Sequence, residues 1–173
     1  MNLETLKKTL HGEFWYVLAN RIAFKEHERR CKDGEIPGDR YNQVTTAITF
    51  EALQRNQIMA LCRLDEKKNI SFRTVSQNSS KFGYSTDEAE ALKAAIDVFN
   101  KSIRELKTEH RNMYLGHLSE KHTENVEIID FDPMILEAFR VLTLICKEEP
   151  KFFLELPNTS SMDMAASFRT DKG

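Results

Sequence analysis

The residues that come closest to a catalytic arrangement are Arg111, Asn112 and His117, in the sequence Arg-Asn-Met-Tyr-Leu-Gly-His. Histidine titrates near neutral pH, so it can take and return a proton. Arginine stays charged and holds two phosphate oxygens through its planar guanidinium. Together they suit cleavage of RNA without a metal: the base removes the proton of a ribose 2′-OH, and the cation stabilises the attacked phosphate. Asn112 could orient the histidine or donate to the phosphate.

The spacing of this pair restricts how it can act. In one straight helix, residues six positions apart differ by ~240° in rotation and ~9 Å in rise. Arg111 and His117 therefore share no face, unless Gly116 bends or ends the helix or two copies of the helix meet across a dimer axis. Positions 110, 113 and 117 continue an apolar seam but hold His, Met and His. A histidine on a packing seam needs a polar partner, which favours the dimer. On spacing alone, the ordinary reading is that His110 or His117 is a satisfied interior histidine and Arg111 a solvated cation at the helix end.

Residues around the pair could hold an RNA backbone. Five basic and three acidic residues lie between Lys101 and His122, in a chain whose net charge is −2. We expect this excess of cations to bind phosphate by counterion release, although an ordinary solvated face explains the same residues. The candidate substrate-binding residues are Arg104, Lys107, Lys121 and, for base stacking, Tyr114.

Composition excludes several classes of protein. A chain of 173 residues is one domain in length, and its near balance of charge argues against a strongly basic nucleic-acid clamp. The three cysteines are far apart and show no zinc-site spacing, so we predict neither a metal nor a cofactor. No apolar stretch reaches the ~18 residues of a membrane span, and the N-terminus has no signal-peptide pattern. We therefore expect a cytoplasmic protein that does not contact a membrane.

Helical periodicity runs through most of the chain. Apolar steps of three and four predict long helices over about 2–30, over 44–62 and from the capping-box sequence at Ser85 onward. The third of these carries a seam that continues to His117. A fourth helix starts at Asp132-Pro133, read as N-cap and N1. A short helix follows Ser71. The positions of the seams are Val44, Ile48, Leu53, Ile58 and Leu61 in the second helix, and Leu92, Ile96, Phe99, Ile103 and Leu106 in the third.

These patterns predict an all-α fold, an up-and-down bundle of four long helices with one or two short helices. Strand signals are nearly absent. We assign residues 1–156 to the single helical domain and 157–173 to a partly flexible tail. The polar segment 76–85 is a connector between helices.

The motif on the third helix also resembles a known family. Arg-Asn-Met-Tyr-Leu-Gly-His looks like the Arg-polar-x(3–5)-His motif of the HEPN (higher eukaryotes and prokaryotes nucleotide-binding) superfamily. The pattern Arg-Asn-x-Tyr-x-small-His resembles its abortive-infection branch, found among phage-defence proteins, as does the earlier sequence Leu-Cys-Arg-Leu-Asp that ends at Asp65. The resemblance covers roughly residues 1–150 in helix order.

The resemblance implies a homodimer in which two motifs face each other and form a composite, metal-independent endoribonuclease site. By the motif, Arg111 and His117 are the catalytic pair and Asn112 is the polar residue after the arginine. It implies a toxin or phage-defence effector with RNA as substrate and an antitoxin or regulatory protein as a possible partner. The chain departs from the pattern at Ser119, where HEPN toxins paired with a nucleotidyltransferase antitoxin have a modifiable tyrosine.

Two alternatives stay open. The same fold could form a non-catalytic module that binds nucleotide, RNA or a protein partner through the same groove. It could also be a structural scaffold whose dimer seam contains buried histidines, in which case the dimer loosens as the histidines charge at lower pH.

Overall fold

The computed structural model of the protein describes residues 2–66, 70–110, 129–155 and 160–166. At residues 109 and 110 it describes only the backbone. Most of this part of the chain is helical, as predicted. The helices are α1 (Leu3–Lys32), α2 (Arg40–Arg63), α3 (Phe72–Gln77), α4 (Thr86–Ser102) and α5 (Asp132–Cys146), with a 3-10 turn at Ser80–Phe82 and a π-helical turn at Leu106–His110. Two short strands follow, β1 (Phe153–Glu155) and β2 (Ser161–Asp163).

Phenyl rings form much of the core. The closest helix pairs are α1 with α2 and α4 with α5, and α1 also packs on α5. Phe14 of α1 lies 6.0 Å from Phe139 and 5.2 Å from Phe152, measured between ring centroids. Phe72 and Phe99 join α3 to α4 at 5.4 Å. Because these rings come from distant parts of the chain, their burial ties the helices into one core.

Helix α4 begins where the sequence predicts, but it ends earlier than predicted. Ser85 Oγ accepts from the backbone N–H of Glu88 at 3.2 Å, and the Glu88 carboxylate accepts from the backbone N–H of Ser85 at 2.8 Å. This is the predicted capping box. The predicted unbroken helix is wrong, because α4 ends at Ser102 and the chain turns at Ile103 before the π-helical turn. The predicted continuation from 111 to His117 lies outside the described residues.

The start of α5 also differs from the prediction. Asp132 is the first helical residue, and Phe131 occupies the N-cap position. The Asp132 carboxylate is engaged elsewhere, because it accepts from Nε and Nη2 of Arg21 in α1 at 2.7 and 2.9 Å. Asp130 takes over the capping role, with its Oδ1 accepting from the backbone N–H of Asp132 at 3.1 Å.

The predicted burial of the first half of α2 is wrong. Val44 is 52% exposed and Ile48 is 61% exposed, whereas the buried positions of α2 begin at Gln54. Among the described residues, α1 packs against the first half of α2 through Phe24 and Phe50, whose ring centroids lie 5.4 Å apart. Val44 and Ile48 lie on the other side of α2 and are exposed to solvent.

Part of the predicted flexible tail is packed. Strands β1 and β2 pair in antiparallel register with Leu154 opposite Met162. The backbone N–H of Met164 donates to the carbonyl of Phe152 at 2.8 Å, and Met164 and Ala165 are buried. The sequence did not predict this hairpin because strands of three residues are too short to show alternation.

Candidate functional site

The structure describes two of the seven predicted site residues. Arg104 lies between the end of α4 and the π-helical turn, and Lys107 lies in that turn. The other predicted residues lie outside the described part of the chain: Arg111, Asn112, Tyr114, His117 and Lys121. The geometry of the Arg–His pair therefore stays a prediction.

The buried carboxylate of Asp65 joins the end of α2, helix α3 and the π-helical turn. Asp65 directly follows the end of α2, and its side chain has no exposed surface. Its Oδ1 and Oδ2 accept from Nε and Nη2 of Arg73 in α3 at 2.6 and 2.9 Å. Its Oδ2 also accepts from the ammonium of Lys107 in the π-helical turn. We call Asp65, Arg73 and Lys107 the Asp65 cluster. It ties the end of α2 to α3 and to the segment that leads into Arg111.

In the Asp65 cluster, the buried carboxylate and the two cations stabilise one another. Taking a carboxylate out of water is costly, and two cations with charge-assisted hydrogen bonds offset that cost. The hydrogen bonds that Arg73 donates to Asp65 raise the pKa of Arg73, with a smaller contribution from the nearby charge of Asp97. The side chains of Arg73 and Lys107 stay 34% and 25% exposed. The cluster therefore places cationic surface, anchored by a buried anion, just before the predicted motif.

The π-helical turn explains how Lys107 reaches Asp65. In a regular helix, neighbouring residues point about 100° apart. Here Leu106 is 1% exposed, while the next residue, Lys107, also reaches inward to the Asp65 carboxylate. The wider π-helical turn, Leu106–His110, allows the side chains of both Leu106 and Lys107 to point inward. Turns of this kind are rare and recur at functional sites, and this one ends at the residue before Arg111.

A strip of buried polar side chains leads along α2 to the cluster. Gln54 and Gln57 precede Asp65 on α2 and are 4% and 1% exposed. Gln54 Oε1 accepts from the backbone N–H of Ile129 at 3.5 Å. Neither amide atom of Gln57 has a hydrogen-bond partner among the described residues. A buried amide is more stable when its polar atoms are hydrogen-bonded.

The two described candidates for substrate binding differ in their surroundings. Arg104 is exposed, and its backbone carbonyl accepts from the Thr108 hydroxyl at 3.1 Å. Lys107 is engaged by Asp65, so only part of its donor capacity faces solvent. Their role in binding RNA stays a prediction. Sequence reasoning assigned no role to Asp65. The available signal was an aspartate directly after an apolar helical run, at the end of the sequence that resembles the abortive-infection branch.

The described part of the chain lacks a metal-binding group and a membrane-spanning helix, and its surface has pockets. Residues 2–66, 70–110, 129–155 and 160–166 contain no group of three or more His, Cys, Asp or Glu side chains arranged to hold a metal ion. No helix among them combines the length and apolar character needed to cross a bilayer. Two surface pockets, of about 790 and 480 Å³, are not lined by any residue of the Asp65 cluster. The smaller is lined in part by Cys146, and burial raises the pKa of that thiol, which makes it a poorer nucleophile.

Comparison of the chain with protein-family models, with curated proteins and with solved structures finds no match. The residues and their geometry therefore carry the functional argument.

Proposed function

We propose that the protein is a metal-independent endoribonuclease of the HEPN type, a toxin or phage-defence effector that acts as a cytoplasmic homodimer. The proposal includes an up-and-down arrangement of the four long helices. The observation that carries it is the order of features along one segment. The sequence Arg-Asn-Met-Tyr-Leu-Gly-His starts at Arg111, directly after a π-helical turn whose Lys107 is held by buried Asp65.

In the proposed reaction, His117 removes the proton of a ribose 2′-OH. The 2′-oxygen attacks the adjacent phosphorus, the bond to the 5′-oxygen breaks, and the leaving oxygen takes up a proton. The products are a 2′,3′-cyclic phosphate and a 5′-hydroxyl. Arg111 stabilises the negative charge that develops on the phosphate oxygens, and Asn112 orients the histidine or donates to phosphate. Residues from two copies of the motif complete the site.

The Asp65 cluster supports this assignment through position and charge. A site that binds a phosphodiester needs cations whose positions are set before the substrate arrives. Asp65 holds Lys107 and Arg73 from two different elements without exposing its own charge. We assign Asp65 as a positioning residue, and Lys107, Arg104, Lys121 and Tyr114 as contacts to the RNA.

RNA digestion in EDTA tests the proposal. Wild-type protein is compared with the His117→Ala variant and with His122→Ala, a matched control that changes a histidine outside the motif. We expect cleavage by the wild type and the control, and none by His117→Ala. Binding of RNA without cleavage by any of the three would support a non-catalytic nucleotide-, RNA- or protein-binding module instead.

A further inference from the structure

The larger of the two surface pockets lies between the start of α1 and the turn that follows α3. Asn2 and Leu3 line it from α1, Thr74 lines it from α3, and Lys81 and Phe82 line it from the 3-10 turn. We call it the α1–α3 cavity. Its volume of about 790 Å³ falls within the roughly 300–1,000 Å³ of sites that hold small organic molecules. Because its walls come from distant parts of the chain, the cavity exists only in the folded protein.

Part of the cavity wall is apolar. Leu6 is fully buried, whereas Leu3 and Phe82 pack against the core and stay partly exposed. An apolar group that covers the exposed parts of Leu3 and Phe82 gains free energy by leaving water. The cavity therefore suits a ligand with an apolar body.

Two polar side chains of the wall have hydrogen-bond donors to spare. Asn2 Oδ1 accepts from the backbone N–H of Thr5 at 2.8 Å and so caps α1. This bond uses the oxygen of the amide and leaves its Nδ2 group, which has no acceptor among the described residues. The Lys81 ammonium is exposed and forms no ion pair with any residue that the structure describes. Both groups can donate to a ligand.

The charge of the wall indicates the sign of the ligand. Among the described residues that line the cavity, Lys81 alone is charged, so no carboxylate of the wall offsets it. The amide of Asn78 is partly engaged, because its Nδ2 donates to the carbonyl of Thr74 at 2.9 Å. A cation and a free amide donor, without an acid beside them in the wall, favour a negatively charged group.

We propose that the α1–α3 cavity binds a small organic anion, with its carboxylate at Lys81 and Asn2 and its apolar body on Leu3 and Phe82. Water screens an exposed lysine, so the ion pair contributes little affinity by itself. Apolar contact therefore supplies most of the affinity, and the charge supplies the selectivity. The inference goes beyond the proposed endoribonuclease and does not depend on it, because no lining residue belongs to the motif or to the Asp65 cluster.

A pair of ligands with nearly the same shape tests the role of charge. Naphthoate and naphthalenemethanol share one ring system, and only naphthoate carries a carboxylate. Binding to the full-length protein, with no tag at its N-terminus, is followed through amide chemical shifts in heteronuclear NMR. We expect the wild type to bind naphthoate about fivefold more tightly than the alcohol. The largest shifts should fall on the amides of Leu3, Thr74 and Gly83, which line the cavity.

A matched pair of lysine variants assigns this preference to one side chain. Lys81→Gln removes the charge of the wall, and we expect it to bind the two ligands equally. The control is Lys93→Gln in α4, which changes an exposed lysine that does not line the cavity. This control should keep the fivefold preference of the wild type.

Asn2→Asp tests the cavity while preserving the helix cap. Aspartate caps a helix as well as asparagine does, and the helix dipole favours its charge, so the stability of the fold should not fall. The change replaces the amide donor by a carboxylate that repels an anion. We expect naphthoate to bind about tenfold more weakly and naphthalenemethanol to change by less than about twofold. Thermal unfolding of the variant checks that the cap is retained.

Three results would overturn the proposal. Naphthoate could fail to bind saturably or could shift amides elsewhere in the protein, or the alcohol could bind as tightly as naphthoate. Alternatively, Lys81→Gln and Asn2→Asp could both bind naphthoate as the wild type does. Binding of naphthoate in the cavity by a protein that cleaves no RNA would refute the endoribonuclease and support this inference. RNA cleavage without naphthoate binding would do the reverse.

Discussion

Asp65 and Lys107, 42 positions apart in the chain, form an ion pair in which the carboxylate is fully buried and the ammonium is partly exposed. The pair fixes the end of α2 against the π-helical turn, and Arg73 holds the same carboxylate from α3. Removing one member of a buried pair leaves the remaining charges without compensation. The pair therefore holds in place the segment that leads along the chain to Arg111.

Replacing this carboxylate should destabilise the protein. Asp65→Asn keeps the shape but leaves Arg73 and Lys107 facing a neutral amide. Because both cations are partly exposed, we expect a loss of about 2–3 kcal/mol in the free energy of unfolding, measured by urea denaturation at pH 7. Asp97→Asn is the control, since Asp97 is exposed and acts on Arg73 only through its charge, and should cost about 0–1 kcal/mol. Equal losses in the two variants would contradict the assignment of Asp65.

The pair between Arg21 and Asp132 should make stability depend on acid pH. The hydrogen bonds from Arg21 lower the pKa of Asp132. A carboxyl with a lowered pKa contributes stability above its unfolded value, about 3.9, and loses that contribution as pH falls through the folded value. We expect Arg21→Met to be about 1 kcal/mol less stable than wild type at pH 7. The difference should shrink in acid below the ordinary aspartate range, as followed by urea unfolding at several pH values. A difference that stays constant in acid would contradict it.

Tyr84 should make stability depend on alkaline pH. Its hydroxyl donates to the carbonyl of Ile145 at 2.7 Å, and burial raises its pKa to about 12. Since the fold favours the neutral phenol, its contribution is complete below the unfolded value of about 10 and is lost between about pH 10 and 12. Tyr84→Phe should cost about 1 kcal/mol at pH 7 through the unpaired Ile145 carbonyl. Thermal unfolding of the variant should show a smaller loss than wild type from pH 10 to 11. Parallel pH profiles would count against this role.

Local sequence predicted the start of α4 and the apolar faces that lie within the core. The capping box at Ser85 and Glu88 depends on residues three positions apart, so the sequence alone determines it. The buried positions Leu92, Ile96 and Phe99 follow from helical periodicity in the same way.

Contacts between residues far apart in the chain explain where the structure differs from the sequence predictions. Asp132 has the local signature of an N-cap, but Arg21 in α1 competes for its carboxylate. The pattern at Val44 and Ile48 is that of a buried face, yet periodicity does not state which element covers it. Likewise, no local pattern connects Asp65 to Lys107, so neither their pairing nor the π-helical turn that contains Lys107 was predicted.

The measurement that tests the central claim most directly uses two versions of one RNA, unmodified and fully 2′-O-methylated, digested by wild-type protein in EDTA. Attack by the 2′-oxygen predicts that the unmodified RNA is cut, leaving 2′,3′-cyclic phosphate and 5′-hydroxyl ends, while the methylated RNA stays intact. Cleavage of both RNAs, or ends that carry a 5′-phosphate, would contradict catalysis by the Arg111–His117 pair.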